Sequence, residues 1–205
     1  MSEQTVYTAD YYQWHRYPGY WADVTHHFPP NAELLDIGCG IGWLAEFFRC
    51  YTGIDGSADA VRIATELGRN VVEGNIEESL PFADQSFDAI IMKDVLEHVA
   101  DPGALVAEAL RVLRPGGVAF ASSPDAQRWV WDDYTHRRPF TRKSFRLLFA
   151  DQGFDVQQAG YESVTPGVGV ISARTRRKRR PRVFTALALM PFHRRNVWVL
   201  ARRSS

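Results

Sequence analysis

The stretch Asp36-Ile37-Gly38-Cys39-Gly40-Ile41-Gly42 constrains this chain more than any other, because it sets three alternating glycines directly behind the apolar run Glu33–Ile37. Glycine lets a backbone turn tightly and approach a ligand where a β-carbon would collide. A strand that ends on such a loop and continues into a helix is the first β-to-α turn of an open α/β sheet, and that turn meets ligands outside the carboxyl ends of the strands. The spacing is GxGxG followed by Trp43, so the dinucleotide fingerprint GxGxxG is not met. Asp55 adds a second signal. It closes the next apolar run 17 residues after Gly38, where a carboxylate can accept both hydroxyls of a ribose.

The order of elements extends the pattern. Trp43 to about Arg49 reads as a helix, Tyr51–Asp55 as a second strand, and Ala58–Leu67 as a helix stopped by Gly68. Asn70–Glu73 and Phe87–Met92 read as the third and fourth strands, the latter apolar enough to be covered on both faces. Leu96–Val99 starts a helical turn, Pro102–Leu113 is a helix opened by proline and closed at Pro115-Gly116-Gly117, and Val118–Ser122 is the fifth strand. A helix at about Arg142–Gln152 with Thr141 as its N-cap, a strand at Phe154–Tyr161 and a last strand at Asn196–Arg203 complete the chain. This alternation predicts a doubly wound α/β sheet with a mostly parallel core.

A chain of 205 residues is expected to form one domain, here an aromatic N-terminal segment (1–30), a core (31–163) and a basic insertion (164–195) before the last strand. No apolar run reaches the roughly 18 residues that span a bilayer and the first ten residues hold no signal-peptide core, so a cytoplasmic protein is expected. Cys39 and Cys50 are too few for a disulfide framework and neither sits in a CxxC pair, which argues against structural zinc. The formal net charge of +0 conceals an asymmetry: Arg174–Ser205 carries eleven Lys/Arg and no Asp/Glu, leaving thirteen basic against 24 acidic residues in the first 173. The basic run followed by an apolar stretch (176–190) suits peripheral contact with an anionic membrane, RNA phosphates, a dimer contact, or a clasp on the acidic body.

Several ordered motifs carry a resemblance to the class I S-adenosylmethionine (SAM)-dependent methyltransferases. They are Leu34–Gly42, Gly53-Ile54-Asp55, Gly74-Asn75-Ile76, Leu80–Asp88 and Leu110–Gly117, spread over about residues 30 to 160. The resemblance implies a Rossmann-like three-layer αβα fold with an antiparallel last strand. It implies SAM as cofactor, with Gly38, Gly40 and Gly42 facing its methionine part, Asp55 on the ribose, and Asn75 and Ile76 flanking the adenine. Asp36, Cys39, Trp43, Gly56 and Lys93 join the expected cofactor contacts. Where the family commonly has Asp, this chain has Asn75, which can still bond an adenine amino group through its carbonyl oxygen. The N-terminal aromatics Tyr7, Tyr11, Tyr12, Trp14, Tyr17, Tyr20 and Trp21 are expected either to form a lid over the cofactor or to pack against the sheet.

Moving a sulfonium methyl group to oxygen requires alignment of the two partners and help for an alcohol to lose its proton. A base or a metal is therefore expected after the fourth strand, in Lys93-Asp94-Val95-Leu96-Glu97-His98-Val99. If Asp94 begins a helix, Asp94, Glu97 and His98 share one face at i, i+3 and i+4. With His136 from Asp132–Thr141 they would suit Mg²⁺ or Mn²⁺. The turn resembles the Glu-x-x-Glu-His element of ubiquinone-pathway and small-RNA methyltransferases, with Asp94 in place of the first Glu. Without metal, His136 or His98 is the general base and Asp94 assists. The polar Asp132–Thr141 loop is similar to loops of glycan and cell-envelope methyltransferases. It favours a small-molecule or oligosaccharide acceptor such as those of methylated mannose polysaccharides. A quinone or lipid acceptor, an RNA acceptor disfavoured by the acidic body, and a non-catalytic SAM-binding module are the alternatives.

Overall fold

The computed structural model describes residues 24–163 and 195–205; the N-terminal aromatics from Tyr7 to Trp21 and the basic run and apolar stretch at 176–190 lie outside the described residues, and so do the roles expected of them. Seven strands, β1 (Glu33–Ile37), β2 (Cys50–Asp55), β3 (Val71–Glu73), β4 (Phe87–Lys93), β5 (Leu113–Pro124), β6 (Phe154–Ser163) and β7 (Arg195–Arg203), form one sheet in the order β3-β2-β1-β4-β5-β7-β6. Neighbours from β3 to β5 run parallel, and β7 is antiparallel to both β5 and β6. The chain steps outward from β1 to β3 and then returns to the other side of β1 with β4. The topological switch therefore lies between β1 and β4, and the carboxyl ends of these two strands border the crevice in which such sheets bind ligands.

Strand alternation divides the core into two faces. Leu35, Ile37, Ile90, Met92, Ala119 and Ala121 pack against α2 (Pro102–Val112) and α3 (Arg142–Asp151), with Phe145 and Phe149 fully buried between them. Leu34, Ala89, Ile91 and Phe120 pack on the opposite face with Val24, Phe28, Leu44 and Phe48. The apolar run of β4 is thus covered on both sides, as expected of a central strand. Among the described residues, three α-helices start on a side-chain cap. Ser57 accepts from Ala60 at the start of α1 (Ala58–Glu66), Asp101 from Ala104 at α2, and Thr141 forms a capping box with Ser144 at α3.

Local structure departs from expectation at three places. The helix expected from Trp43 to Arg49 is a short 3-10 turn, Trp43–Glu46, because Gly42 enters it in the left-handed region at φ +72°. β5 begins at Leu113 instead of Val118, since Leu113 pairs with Phe87 before a bulge lets the Pro-Gly-Gly segment pass. Asp94 does not begin a helix: its φ is +55°, and the residues after it form a turn closed by His98 N–H donating to the Val95 carbonyl at 3.0 Å. The one-face geometry expected of Asp94, Glu97 and His98 is therefore absent.

Candidate active site

The glycine loop leaves β1 with Gly38, Gly40 and Gly42 all at positive φ. Gly38 and Cys39 N–H both donate to the Ile54 carbonyl, at 2.9 and 3.2 Å, which ties the loop to β2. A β-carbon at Gly38 would lie 2.5 Å from Val95 Cγ2, so this glycine lets the loop after β1 rest on the turn after β4 across the switch point. Asp55 closes β2 and accepts from Gly40 N–H at 2.7 Å through one oxygen and from Ser57 N–H at 2.9 Å through the other. Burial raises its carboxyl above the ordinary value despite those two amides. Arg69 braces the loop from outside. It donates to the Ile41 carbonyl at 2.8 Å, pairs with Glu46, and stacks 4.1 Å above the Trp43 ring.

Asp36 and Cys39 sit beneath the loop rather than on its open side. Asp36 is 2% exposed and accepts from Tyr51 Oη at 2.9 Å, and burial pushes its carboxyl up to about 7. Cys39 is buried against Gly53, where a β-carbon would come within 2.5 Å of Sγ. Both support the loop, whereas direct cofactor contact was expected of them. Gly56 is exposed, with only the Gly74 carbonyl within 3.6 Å of an added β-carbon. Asn75 is exposed too. Its carbonyl oxygen accepts from Glu77 N–H at 3.0 Å and its amide donates to Glu78, which leaves one lone pair of that oxygen for an outside donor. Ile76 packs against the core.

Lys93 and Asp94 belong to a different network from the one expected. Lys93 Nζ pairs with Glu162 at 2.8 Å, with side chains 2% and 9% exposed, so Lys93 is turned toward β6 rather than toward the cofactor crevice. Asp94 Oδ1 accepts from Asn196 Nδ2 at 2.6 Å and from Ser122 Oγ at 3.3 Å. These bonds turn its side chain toward β5 and β7, while its charge still acts on Glu97 and His98.

Glu97, His98 and His136 do come together, each offering one ligand atom within 4.8 Å of the others. The 130s loop reaches the turn because the Glu97 carbonyl accepts from Arg137 N–H at 2.8 Å. The His98 and His136 rings lie 4.7 Å apart. His98 Nδ1 contacts Thr135 Oγ1 at 3.0 Å, Thr135 Oγ1 donates to Asp133 Oδ1 at 2.6 Å, and His136 Nδ1 bonds the Val130 carbonyl. Burial first, and the His136 ring second, push the His98 pKa below its ordinary value. Glu97 is 1% exposed, and neither carboxylate oxygen has a hydrogen-bond partner; nor has the adjoining buried Ser123 hydroxyl. Burial, then the Asp94 carboxylate, pushes the Glu97 carboxyl well above the usual range. Thr135, Asp133 and Ser123 were not singled out from the sequence; Asp-x-Thr, the pattern of a side-chain-capped turn, was the signal for the first two.

The family model described as "Methyltransferase domain" matches residues 13–159. The chain is 37% identical over 108 residues to an uncharacterized methyltransferase of Mycobacterium sp. (strain KMS), covering 50% of this chain and 42% of that protein. It is 33% identical over 109 residues to the ubiquinone biosynthesis O-methyltransferase of Klebsiella pneumoniae (strain 342), covering 48% and 45%. Across the curated relatives it matches, the chain spans from about a third to two thirds of their length. A SAM-dependent methyltransferase structure from Mesorhizobium loti superposes with a TM-score of 0.68 at 19% identity, covering 90% of this chain and 98% of that one, a likeness of fold. The cofactor expected of such proteins, SAM, fits the residues present: a loop held at positive φ, an acid at the end of β2 whose oxygens face backbone amides, and open space at Gly56. The sheet order, the glycine loop and these matches together show that the chain belongs to the methyltransferase-domain family of SAM-dependent methyltransferases.

Proposed function

We propose that the chain is an O-methyltransferase whose acceptor is a hydroxyl of a sugar, an oligosaccharide or a similar small hydroxylated molecule. The observation that carries this reading is the convergence of His98 and His136 with Glu97 on the turn after β4, which Gly38 brings against the glycine loop. When bound, SAM supplies an electrophilic methyl group on a sulfonium. Gly38, Gly40 and Gly42 would lie along its methionine part, Asp55 at its ribose, and Asn75 and Ile76 beside its adenine. An alcohol must lose its proton as the new C–O bond forms, and a neutral imidazole is a competent acceptor for it. His136 takes that role here, with the Val130 carbonyl fixing its ring, and His98 beside it fixed by Thr135. Asp94, expected among the catalytic groups, instead anchors β7 to the turn.

The loop that carries His136 favours a polyol. Trp131 and Tyr134 are 57% and 77% exposed, with Asp132 between them on the surface, and flat rings beside carboxylates stack on and bond to sugar rings. The quinone reading is supported by the likeness to the Klebsiella enzyme, named for ubiquinone biosynthesis. The deciding experiment offers labelled SAM to oligosaccharide, quinol and RNA panels. Label in an oligosaccharide hydroxyl supports the proposal, and label only in quinol or RNA overturns it. No helix of the described residues is long and apolar enough to cross a membrane. Cytoplasmic placement, peripheral membrane contact through 176–190 and a homodimer stand as further parts of the proposal.

A further inference from the structure

We infer that Glu97, His98 and His136 form a cation site of the two-histidine, one-carboxylate kind, suited to Zn²⁺ or Co²⁺ and not to the Mg²⁺ that an Asp94-containing cluster would hold. The inference rests on the reading of the turn after β4 as the acceptor end of the crevice. Three observations carry it. One ligand atom from each of the three residues lies within 4.8 Å of the others. Glu97, 1% exposed, leaves both oxygens without a partner, and an unpartnered buried acceptor costs on the order of 1–3 kcal/mol or more unless something bonds it. Both rings, finally, are held from behind. His136 Nδ1 meets the Val130 carbonyl, and His98 Nδ1 meets a threonine hydroxyl whose own proton goes to Asp133. Those contacts make Nδ1 the protonated nitrogen in each ring and Nε2 the one with a lone pair, the arrangement that outer-shell oxygens impose on metal-binding histidines.

The donor set then selects the ion. Mg²⁺ demands octahedral oxygen coordination and binds imidazole poorly, whereas two imidazoles and a carboxylate suit Zn²⁺ and leave a fourth position open. Asp94, whose carboxylate would have made the set oxygen-rich, is engaged by Asn196 and Ser122. Asp133 Oδ2 stands 3.9 Å from His136 Nε2, outside hydrogen-bond distance, and is placed to orient the ring or a bound water. The open position is where an acceptor hydroxyl would be polarised and would release its proton to water; with the cation bound, His136 serves the proposed reaction as a ligand and not as the free base.

The test uses the untagged full chain, stripped with EDTA and desalted. Zn²⁺ and Mg²⁺ are titrated separately by calorimetry and Co²⁺ by visible absorption. The expected result is one Zn²⁺ per chain, not displaced by a large excess of Mg²⁺, and Co²⁺ bands of a low-coordinate site. Glu97→Gln and His136→Gln are expected to weaken Zn²⁺ binding by more than tenfold, and Thr135→Val by about 10–100-fold through loss of the outer contact. Asp94→Asn is expected to change Zn²⁺ affinity far less than Glu97→Gln or His136→Gln, through its charge alone. Circular dichroism and SAM binding on each variant separate loss of the site from loss of the fold. An absence of Zn²⁺ binding, binding that Glu97→Gln and His136→Gln both leave intact, or equal affinity for Mg²⁺ overturns the inference. Methyl transfer to a hydroxyl by a chain that binds no Zn²⁺ removes the cation and keeps the O-methyltransferase. Site-specific Zn²⁺ binding without such transfer keeps the cation and removes the acceptor reading.

Discussion

Replacing Asp36 by Asn tests the reasoning about the glycine loop's foundation quantitatively. The Asp36 carboxyl is 2% exposed, and burial raises it from 3.8 to about 7, with the Tyr51 hydroxyl bond opposing the shift and Asp55 adding to it. A carboxyl whose folded value lies above its unfolded value stabilises the fold fully below the unfolded value, and that contribution is lost as pH rises through the folded one. Between 3.8 and about 7 the native state holds a proton that the unfolded chain has released. At about 1.4 kcal/mol per unit, the wild-type chain loses about 4 kcal/mol from this one group as pH rises from below 4 to about 8. Asn resembles the protonated acid in shape and its carbonyl can accept from Tyr51, so Asp36→Asn removes the pH-dependent loss. It leaves a pH-independent offset of about 1–3 kcal/mol if the new amide finds no acceptor. Urea unfolding followed by near-ultraviolet circular dichroism at a series of pH values measures the difference between the two proteins. The variant should gain on the wild type steadily from about pH 4 and level off above about pH 7. A difference that stays flat over that window would show that Asp36 is ionised in the folded protein and would refute the burial argument.

Other substitutions probe the remaining supports. Gly38→Ala should destabilise by about 2–4 kcal/mol, from the left-handed φ and the contact with Val95, and Gly38→Ala/Val95→Ala should recover the steric part in denaturant unfolding. Lys93→Met should cost about 3–5 kcal/mol by stranding Glu162, whereas the Lys93→Met/Glu162→Leu pair should cost clearly less; equal losses would mean that the pair does not act as one. Asp55→Ala should weaken SAM binding by roughly 10–100-fold in calorimetry, the worth of a hydrogen bond to a charged group, with unfolding free energy changed far less.

The alternation of strands and helices was legible because its turns carry signals of their own: glycines after β1, an acid at the end of β2, Gly68 after α1, the proline that opens α2 and the Thr141 cap of α3, whereas the Ser57 and Asp101 caps emerge only in the structure. The central place of β4 was legible from its unbroken apolar run, since only a strand covered on both faces tolerates one. The site was legible in part. His98, Glu97 and His136 were picked by residue type and meet in space, but Asp94 was assigned to them on the assumption of a helix that its φ of +55° rules out. A positive φ at a non-glycine residue leaves no mark in sequence when tertiary bonds, here to Asn196 and Ser122, impose it. The Lys93–Glu162 pair was hidden for a similar reason. It spans three neighbouring strand pairs and 69 positions of sequence, and only the sheet order brings the two residues together.

The most direct measurement compares the wild-type chain with His136→Gln in methyl transfer from labelled SAM to oligosaccharides, with the product linkage identified. The account predicts label in an alkali-stable ether at a sugar hydroxyl, and a fall in kcat of about 10²–10⁴ in the variant with SAM affinity retained. Transfer by His136→Gln at the wild-type rate, or label found only on nitrogen or in RNA, would contradict it.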